Sequence, residues 1–518
     1  MKFLFVHQNF PGQFLHLVRH LVESRQHEIV FITEPNANVI QGVRKVPYRK
    51  PALPSPECHP GTRELDAGLR RADAVFQVAK NLQSLGFEPD VIIGHHGWGE
   101  MLSLVDVWPR APIYGYFEFY YNPERADVGF DPEFPNNTLD FPRIRAKNAI
   151  NHIALNLGQH GNSPTRWQRS TYPDWAQKQI DLLWEGVDLD VCRPDAAHRR
   201  KPLRIGGMTV KPTDTLVTYV SRDLEPYRGF HTMMRTLPAL QKARKDLKVI
   251  MVGSDGVSYG VMPPEGGTWR ERMMKEVGNS IDLERVAFPG RVSYADYLSM
   301  MKRSDTHVYL TYPFVASWSL RESLALGCAV IGSDTQPVQE FIQHGETGLL
   351  TSFFDPQALA TTVLDLLENK SLNSKLRSNA RTYAEKHLSM DDYIAAYRAA
   401  IERITNRPID DAPAARKAPV KAAVKAAAKP KAAAGGKQPA TRAAAVAKSP
   451  VPAAAKKAQA AAPATKTPVA APATKTRAPK PVAPKTAART APAQKTPARK
   501  AAAAKPATPA AKRKAPRR

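Results

Sequence analysis

The last 107 residues of this 518-residue chain contain no Asp, Glu, Phe, Tyr or Trp. Such a segment has too little apolar bulk to offset the entropy of ordering it, which excludes a folded domain there. Cysteine is scarce: Cys58, Cys192 and Cys328 are odd in number and far apart. That excludes a disulfide framework or a cysteine-ligated metal cluster and fits a reducing cytoplasm. No run of roughly 18 apolar residues occurs, so no membrane-spanning helix is expected. The start, Met1-Lys2-Phe3-Leu4-Phe5-Val6, meets His7-Gln8-Asn9 too soon for the apolar core of a signal peptide. No Asp-x-Asp stands at a strand end in the first 184 residues, so no divalent ion is implied; no cofactor is expected either.

What is present divides the chain in two. It carries 74 Lys+Arg against 48 Asp+Glu, and 26 of the basic residues lie between 412 and 518. The remainder is therefore neutral, and it holds all 7 Trp, 16 Tyr and 18 Phe. The segment 412–518 is about 40% Ala with recurrent Lys and Pro, and Pro463–Pro468 is nearly repeated at 472–476. It reads as a disordered tail of linker-histone-like composition. Its charge suits non-specific contact with a polyanion or an anionic membrane surface, or serves only solubility.

Residues 1–184 alternate strand and helix patterns. Strands are expected at Lys2–His7, Ile29–Thr33, Val91–Gly94, Ile113–Phe117 and Ile153–Leu157, with Ser163-Pro164 starting a helix. After a hinge at Glu185–Asp195 the alternation restarts. Strands are expected at Leu216–Val220, Val249–Val252, Val308–Leu310 and Ala329–Ile331. Helices are expected at Phe230–Leu240, at a capping box Ser293/Asp296, and at Leu320–Leu326, with three closing helices between Asp355 and Ile404. The pattern predicts two tandem doubly wound α/β domains, 1–184 and 185–405, with the cleft between them as ligand site. The last helix is expected to pack back on the first domain.

The stretch Tyr312-Pro313-Phe314-Val315-Ala316-Ser317-Trp318-Ser319-Leu320-Arg321-Glu322 runs from a strand through a small-residue loop into a helix. Backbone N–H groups at Ser319-Leu320 suit a diphosphate. Glu322, one turn in, suits a bidentate grip on two sugar hydroxyls. With His344-Gly345-Glu346-Thr347-Gly348, this segment resembles the C-terminal signature of glycosyltransferase family 4, retaining enzymes of GT-B fold. The opening Phe5–Phe14 is similar to a bacterial subgroup of that family.

The resemblance implies a nucleoside-diphosphate sugar as donor and a glycan or lipid-linked hydroxyl as acceptor. It matches Glu322 to a ribose-holding glutamate and puts Phe314 where the family has another glutamate. It matches Arg222 and Arg228 to a diphosphate-binding pair, Arg291-Val292 to the loop facing the base, and Gly12 to a glycine beside the donor. Thr335-Gln336 stands where relatives carry two glycines. His95, His96 and Glu118, in loops after strands, are acceptor-side candidates. The bland readings are a solvated Glu322, arginines salt-bridged to Asp223 and Glu225, a plain turn at Gly12, a plain loop end at Arg291-Val292, and structural histidines. Rival functions are a nucleotide-sugar epimerase and a nucleotide-sugar or polyanion-binding protein. The expected location is the cytoplasm, peripheral to the inner membrane face as the tail's further expectation.

Overall fold

The structure is a computed structural model that describes residues 1–124, 126–135 and 140–409. The expectation for the basic tail lies outside the described residues. Strand β1 (Lys2–Val6) is covered on both faces, Phe3 to Val6 being fully buried, as a central parallel strand flanked by helices requires. It pairs in parallel with β2 (Glu28–Thr33) and β4 (Val91–His95). Strand β3 (Val43–Pro47) extends one edge, and β5 (Ile113–Tyr116), β6 (His160–Ser163) and β7 (Ile180–Leu182) the other. The sheet order is β3-β2-β1-β4-β5-β6-β7. It reverses direction between β1 and β4, and a crevice opens beyond the carboxyl ends of strands at such a point.

A short hairpin, β8 (Leu203–Ile205) and β9 (Met208–Val210), precedes the second sheet. That sheet is also parallel, with order β12-β11-β10-β13-β14-β15. Its strands are β10 (Thr215–Asp223), β11 (Leu247–Ser254), β12 (Val286–Gly290), β13 (Thr306–Tyr309), β14 (Val330–Ser333) and β15 (Leu349–Thr351). The order reverses between β10 and β13, so a second crevice opens there.

The helix Met390–Thr405 packs on the first domain, with Tyr393, Ile394, Tyr397 and Ile401 joining the cluster around Phe3, Phe5 and Phe14. Its Tyr397 hydroxyl donates to Asn162 Oδ1 at 2.9 Å. Where the chain crosses between the domains, the Val187 N–H donates to the Leu388 carbonyl at 2.8 Å.

Three expectations are corrected. Ile153–Leu157 is not a strand: it ends the helix Ala149–Asn156, whose Ile150 and Ala154 turn inward at a spacing of four. The true strand, β6, reads His-Gly-Asn-Ser and gives no apolar signal. A Cβ at its Gly161 would fall 1.9 Å from the Gly115 carbonyl oxygen, so close strand packing demands glycine there. The following helix is Arg166–Ser170, and its cap is Thr165, whose hydroxyl accepts the Gln168 N–H at 3.0 Å, not Ser163. Ser293 does cap its helix, accepting the Asp296 N–H at 3.1 Å. The box is not closed through the Ser293 N–H: the Asp296 carboxylate takes the Ser293 hydroxyl instead, at 2.7 Å. Among the described residues no helix is long and apolar enough to cross a membrane.

Candidate functional site

The second domain's side of the cleft is built where β10 ends. Arg222 is exposed there with no ion-pair partner among the described residues, whereas Arg228 is buried, with 5% of its surface exposed. The Arg228 guanidinium donates to Thr311 Oγ1 at 2.7 Å and the Val315 carbonyl at 3.0 Å, and lies over the Tyr259 ring. The nearby acids do not pair with these arginines. Asp223 accepts the Ser258 hydroxyl. Glu225 is fully buried and accepts the backbone N–H groups of Ser258 and Gly260 at 3.1 and 2.9 Å. Burial raises the Glu225 pKa; this carboxylate fixes the loop that presents Tyr259 to Arg228.

Val315 lies in the loop leading to the helix Trp318–Ala325. The Ser317 N–H donates to the Tyr309 hydroxyl at 2.8 Å, and the Ser317 and Ser319 hydroxyls lie 2.6 Å apart. Leu320 is fully buried. Glu322, on the next turn, accepts the Tyr294 hydroxyl at 2.8 Å, and burial pushes its pKa up. Beside it, the fully covered Arg321 pairs with Glu185 at 3.2 Å, which also accepts the Trp318 indole N–H at 3.0 Å. Arg291 is exposed and donates to Ser254 Oγ at 2.7 Å; Val292 is half-buried. Arg228, Glu322 and the helix start thus share one loop system, and Arg291 ties the ends of β11 and β12.

On the first domain, Gly12 has φ +56°, and a Cβ there would meet the His7 ring at 2.8 Å. His7 follows β1 directly, and His95 ends β4; their ring centroids are 5.5 Å apart. The Gln13 amide donates to Glu118 Oε1 at 3.3 Å, and His95 Nε2 lies 3.4 Å from Glu118 Oε2. Burial alone would raise the Glu118 pKa, but the hydrogen bonds from His95 and Gln13 outweigh it and hold Glu118 below its usual range. His96 is fully buried against Phe117, centroids 4.5 Å apart. Burial lowers its pKa to about 3, so it is an uncharged core side chain.

The two sides meet. Phe119 packs on Phe314 at 4.7 Å between centroids, and Phe314 also contacts Tyr227 and Tyr259. The Trp167 indole donates to Gln336 Oε1 at 2.8 Å, and Glu340 accepts the N–H groups of Arg166 and Trp167 at 2.6 and 2.9 Å. The chain beyond β5 straps onto the second domain. Phe130 contacts Tyr312 and Phe353, Asp131 accepts the Tyr312 hydroxyl at 2.8 Å and faces His231 Nε2 at 3.1 Å, and Glu133 pairs with Arg235 at 2.6 Å. Asp131, Glu133 and His231 have ligand-type atoms within 4.8 Å of one another. Their carboxylates are taken up by Tyr312, His231 and Arg235, so the cluster works as an ion-pair knot.

Sequence reasoning did not single out His7, Gln13, Glu225, Tyr259, Tyr294 or the strap. For His7 the signal was present: a polar residue directly after a buried strand, the same cue that marked His95. Tyr259 and the strap carry no such cue, because their positions are set by partners more than 30 residues away.

Two doubly wound domains that meet through their carboxyl-edge loops define the GT-B class. Family models bear this out: residues 25–192 match "Glycosyl transferase family 4 group", and residues 208–386 match "Glycosyl transferases group 1". The chain belongs to the family 4 glycosyltransferases. It is 23% identical over 184 residues to an uncharacterised glycosyltransferase of Methanocaldococcus jannaschii, covering 35% of this chain and 44% of that one. It is 26% identical over 163 residues to a phosphatidyl-myo-inositol mannosyltransferase of Mycobacterium leprae, covering 31% and 39%. The chain thus spans about two fifths of the length of these curated relatives. Among solved structures, sucrose-phosphate synthase of Thermosynechococcus elongatus superposes with TM-score 0.58 at 17% identity, covering 78% of this chain and 99% of that one. Anabaena HepE, solved with UDP and glucose, superposes with TM-score 0.54 at 16% identity, covering 78% and 100%.

Proposed function

We propose that this protein transfers a sugar from a nucleoside-diphosphate sugar to a hydroxyl of a glycan or lipid-linked acceptor, with retention of anomeric configuration, in the synthesis of a surface glycan. The observation that carries this reading is the tie between Arg228 and the loop of Glu322: one buried guanidinium is hydrogen-bonded to the segment that opens the Glu322 helix. The second domain holds the donor, with Glu322 on ribose hydroxyls and Arg291-Val292 beside the base. Arg222, Arg228 and the Ser319 amide meet the charge that builds on the leaving diphosphate; the Leu320 N–H is already given to the Ser317 carbonyl at 3.2 Å. Such fixed charges and dipoles need no reorganisation during the reaction. Gly12, His95 and Glu118 face the reacting sugar or the acceptor from the first domain, with His96 as the packing beneath them. The protein works in the cytoplasm, and the basic segment 412–518 gives it contact with polyanions or an anionic membrane face.

The test is turnover of nucleotide sugars with and without acceptor in arginine variants. Arg228→Ala should lower turnover by roughly 100- to 1,000-fold, the loss of one charge-stabilising donor. Arg228→Lys keeps a cation at the family's own position and should retain most of the activity. Melting temperatures report whether the fold survives. Near wild-type turnover in both Arg228→Ala and Arg222→Ala overturns the diphosphate assignment.

A further inference from the structure

The switch point of the first sheet lies between β1 and β4, and His7 stands on the first residue past β1. His7 is buried, 4% exposed. Its Nδ1 accepts the Asn9 N–H at 2.8 Å. An accepting Nδ1 leaves the proton on Nε2, so the tautomer is set by the backbone. That Nε2 has no hydrogen-bond partner among the described residues. The Gln13 side chain lies beside the ring and favours its charged form slightly, but its amide N–H donates to Glu118 and no hydrogen bond of normal geometry reaches Nε2. A buried N–H donor left without a partner is costly, and native proteins rarely keep one without a use.

Three further features preserve this arrangement. Gly12 adopts a left-handed backbone and lacks the Cβ that would strike the His7 ring. Burial, reinforced by the charge of His95, lowers the His7 pKa to about 3, so the ring is neutral and its donor single. Glu118, held ionised at the end of β5, supplies acceptor oxygens nearby and lies within electrostatic reach of Tyr259 in the second domain. A donor beside an acceptor at the carboxyl end of the strands where the sheet order reverses matches a hydroxyl-rich ligand, whose groups both give and take hydrogen bonds.

We propose that His7 is a substrate-positioning residue: its Nε2–H donates to a hydroxyl oxygen of a sugar or polyol in the cleft, while Glu118 accepts a hydroxyl hydrogen from the same molecule. The inference rests on the glycosyltransferase reading and deepens it. Nucleotide contacts lie in the second domain, so His7 governs affinity for the hydroxyl-bearing group and not for the nucleotide.

The experiment is calorimetric titration of the full chain, wild type and His7→Phe and His7→Gln, with UDP, GDP, UDP-glucose, GDP-mannose, and UDP followed by free glucose. His7→Phe keeps the flat ring and removes the donor. It should weaken the best-bound sugar-bearing probe about tenfold, the loss of one hydrogen bond, and leave the bare nucleotide unchanged. His7→Gln returns an N–H near the Nε2 position and should recover most of that loss. A loss on the nucleotide sugar places the hydroxyl on the donor; a loss confined to free glucose with UDP places it on the acceptor. Equal losses on nucleotide and sugar-bearing probes, or none on any, overturn the His7 assignment while leaving the family reading intact. A wild-type chain that binds no nucleotide overturns both. Independently of the variants' folding, ¹⁵N chemical shifts of the His7 ring must show the Nε2–H form; the Nδ1–H form overturns the proposal.

Discussion

Burial decides the charge of three histidines here. His7, His96 and His307 are enclosed, and each has its pKa lowered from 6.5 to about 3, chiefly by desolvation. His307 stays neutral while its Nδ1 meets Thr218 Oγ1 at 3.0 Å. In the unfolded chain each would bind a proton near pH 6.5, so the unfolded state takes up more protons in the window between about 3 and 6.5. Stability is therefore complete above pH 6.5 and lost as pH falls through that window. The slope should be about 1.4 kcal/mol per histidine per pH unit below 6.5. Denaturant unfolding at pH 7, 6 and 5 measures it, and His307→Asn should remove the share of one enclosed histidine. A flat profile for both proteins would mean these rings are protonated in the fold. The candidate residues Arg222, Arg228, Glu322 and Gly12 were picked out in the sequence because they sit in contiguous motifs. Their environments were not: Arg222 is exposed and Arg228 enclosed, only six positions apart, because Thr311 and Val315 from a distant strand end close over the second.

Among elements, the strap after β5 joins the two domains through Asp131, Glu133 and Phe130. Asp131 would have its pKa raised by burial, but hydrogen bonds from His231 and Tyr312 outweigh this and hold it below the usual range. Removing that carboxylate leaves two buried donors without their acceptor. Asp131→Ala should cost about 1–3 kcal/mol for each donor left unsatisfied, and proteases should then cut between Phe117 and Phe134. Chemical denaturation and limited proteolysis read both effects; an unchanged cleavage pattern would show that Phe130 and Phe134 alone hold the segment down. Long, periodic elements of the fold were readable, Phe230–Ala243 and Lys370–His387 among them. Unread elements were those whose residues answer to neighbours: β6 needs glycine where its strands crowd, and β3, with the polar Arg44 and Lys45, is an edge strand with no buried residue.

At the scale of the whole molecule, the chain must come back to the first domain before the fold is complete. Ile409 is buried, its N–H donates to Glu402 at 2.9 Å, and Arg407 pairs with Asp90 of the first domain. The folded part therefore extends at least to Ile409, and a cut before Met390 would expose Phe3, Phe5 and Phe14 by removing the helix that covers them. A cut after Asp411 removes no residue of that core. It removes 26 basic residues, no acidic ones and no aromatic ones, which is the composition of a polyelectrolyte and not of a reader of base edges. Truncation after Asp411 should keep the melting temperature and transfer to a small hydroxylated acceptor. It should abolish retention on DNA or on vesicles of anionic lipid. In the full chain that retention should fall steeply between about 50 and 200 mM salt, since each neutralised phosphate releases counterions, and it should not vary with DNA sequence. Parallel melting, turnover and binding measurements on the two proteins check every part of this. Loss of melting temperature or of turnover on truncation would mean that the basic segment contributes to the folded domains or the cleft, and the division into a neutral catalyst and a charged appendage would fall.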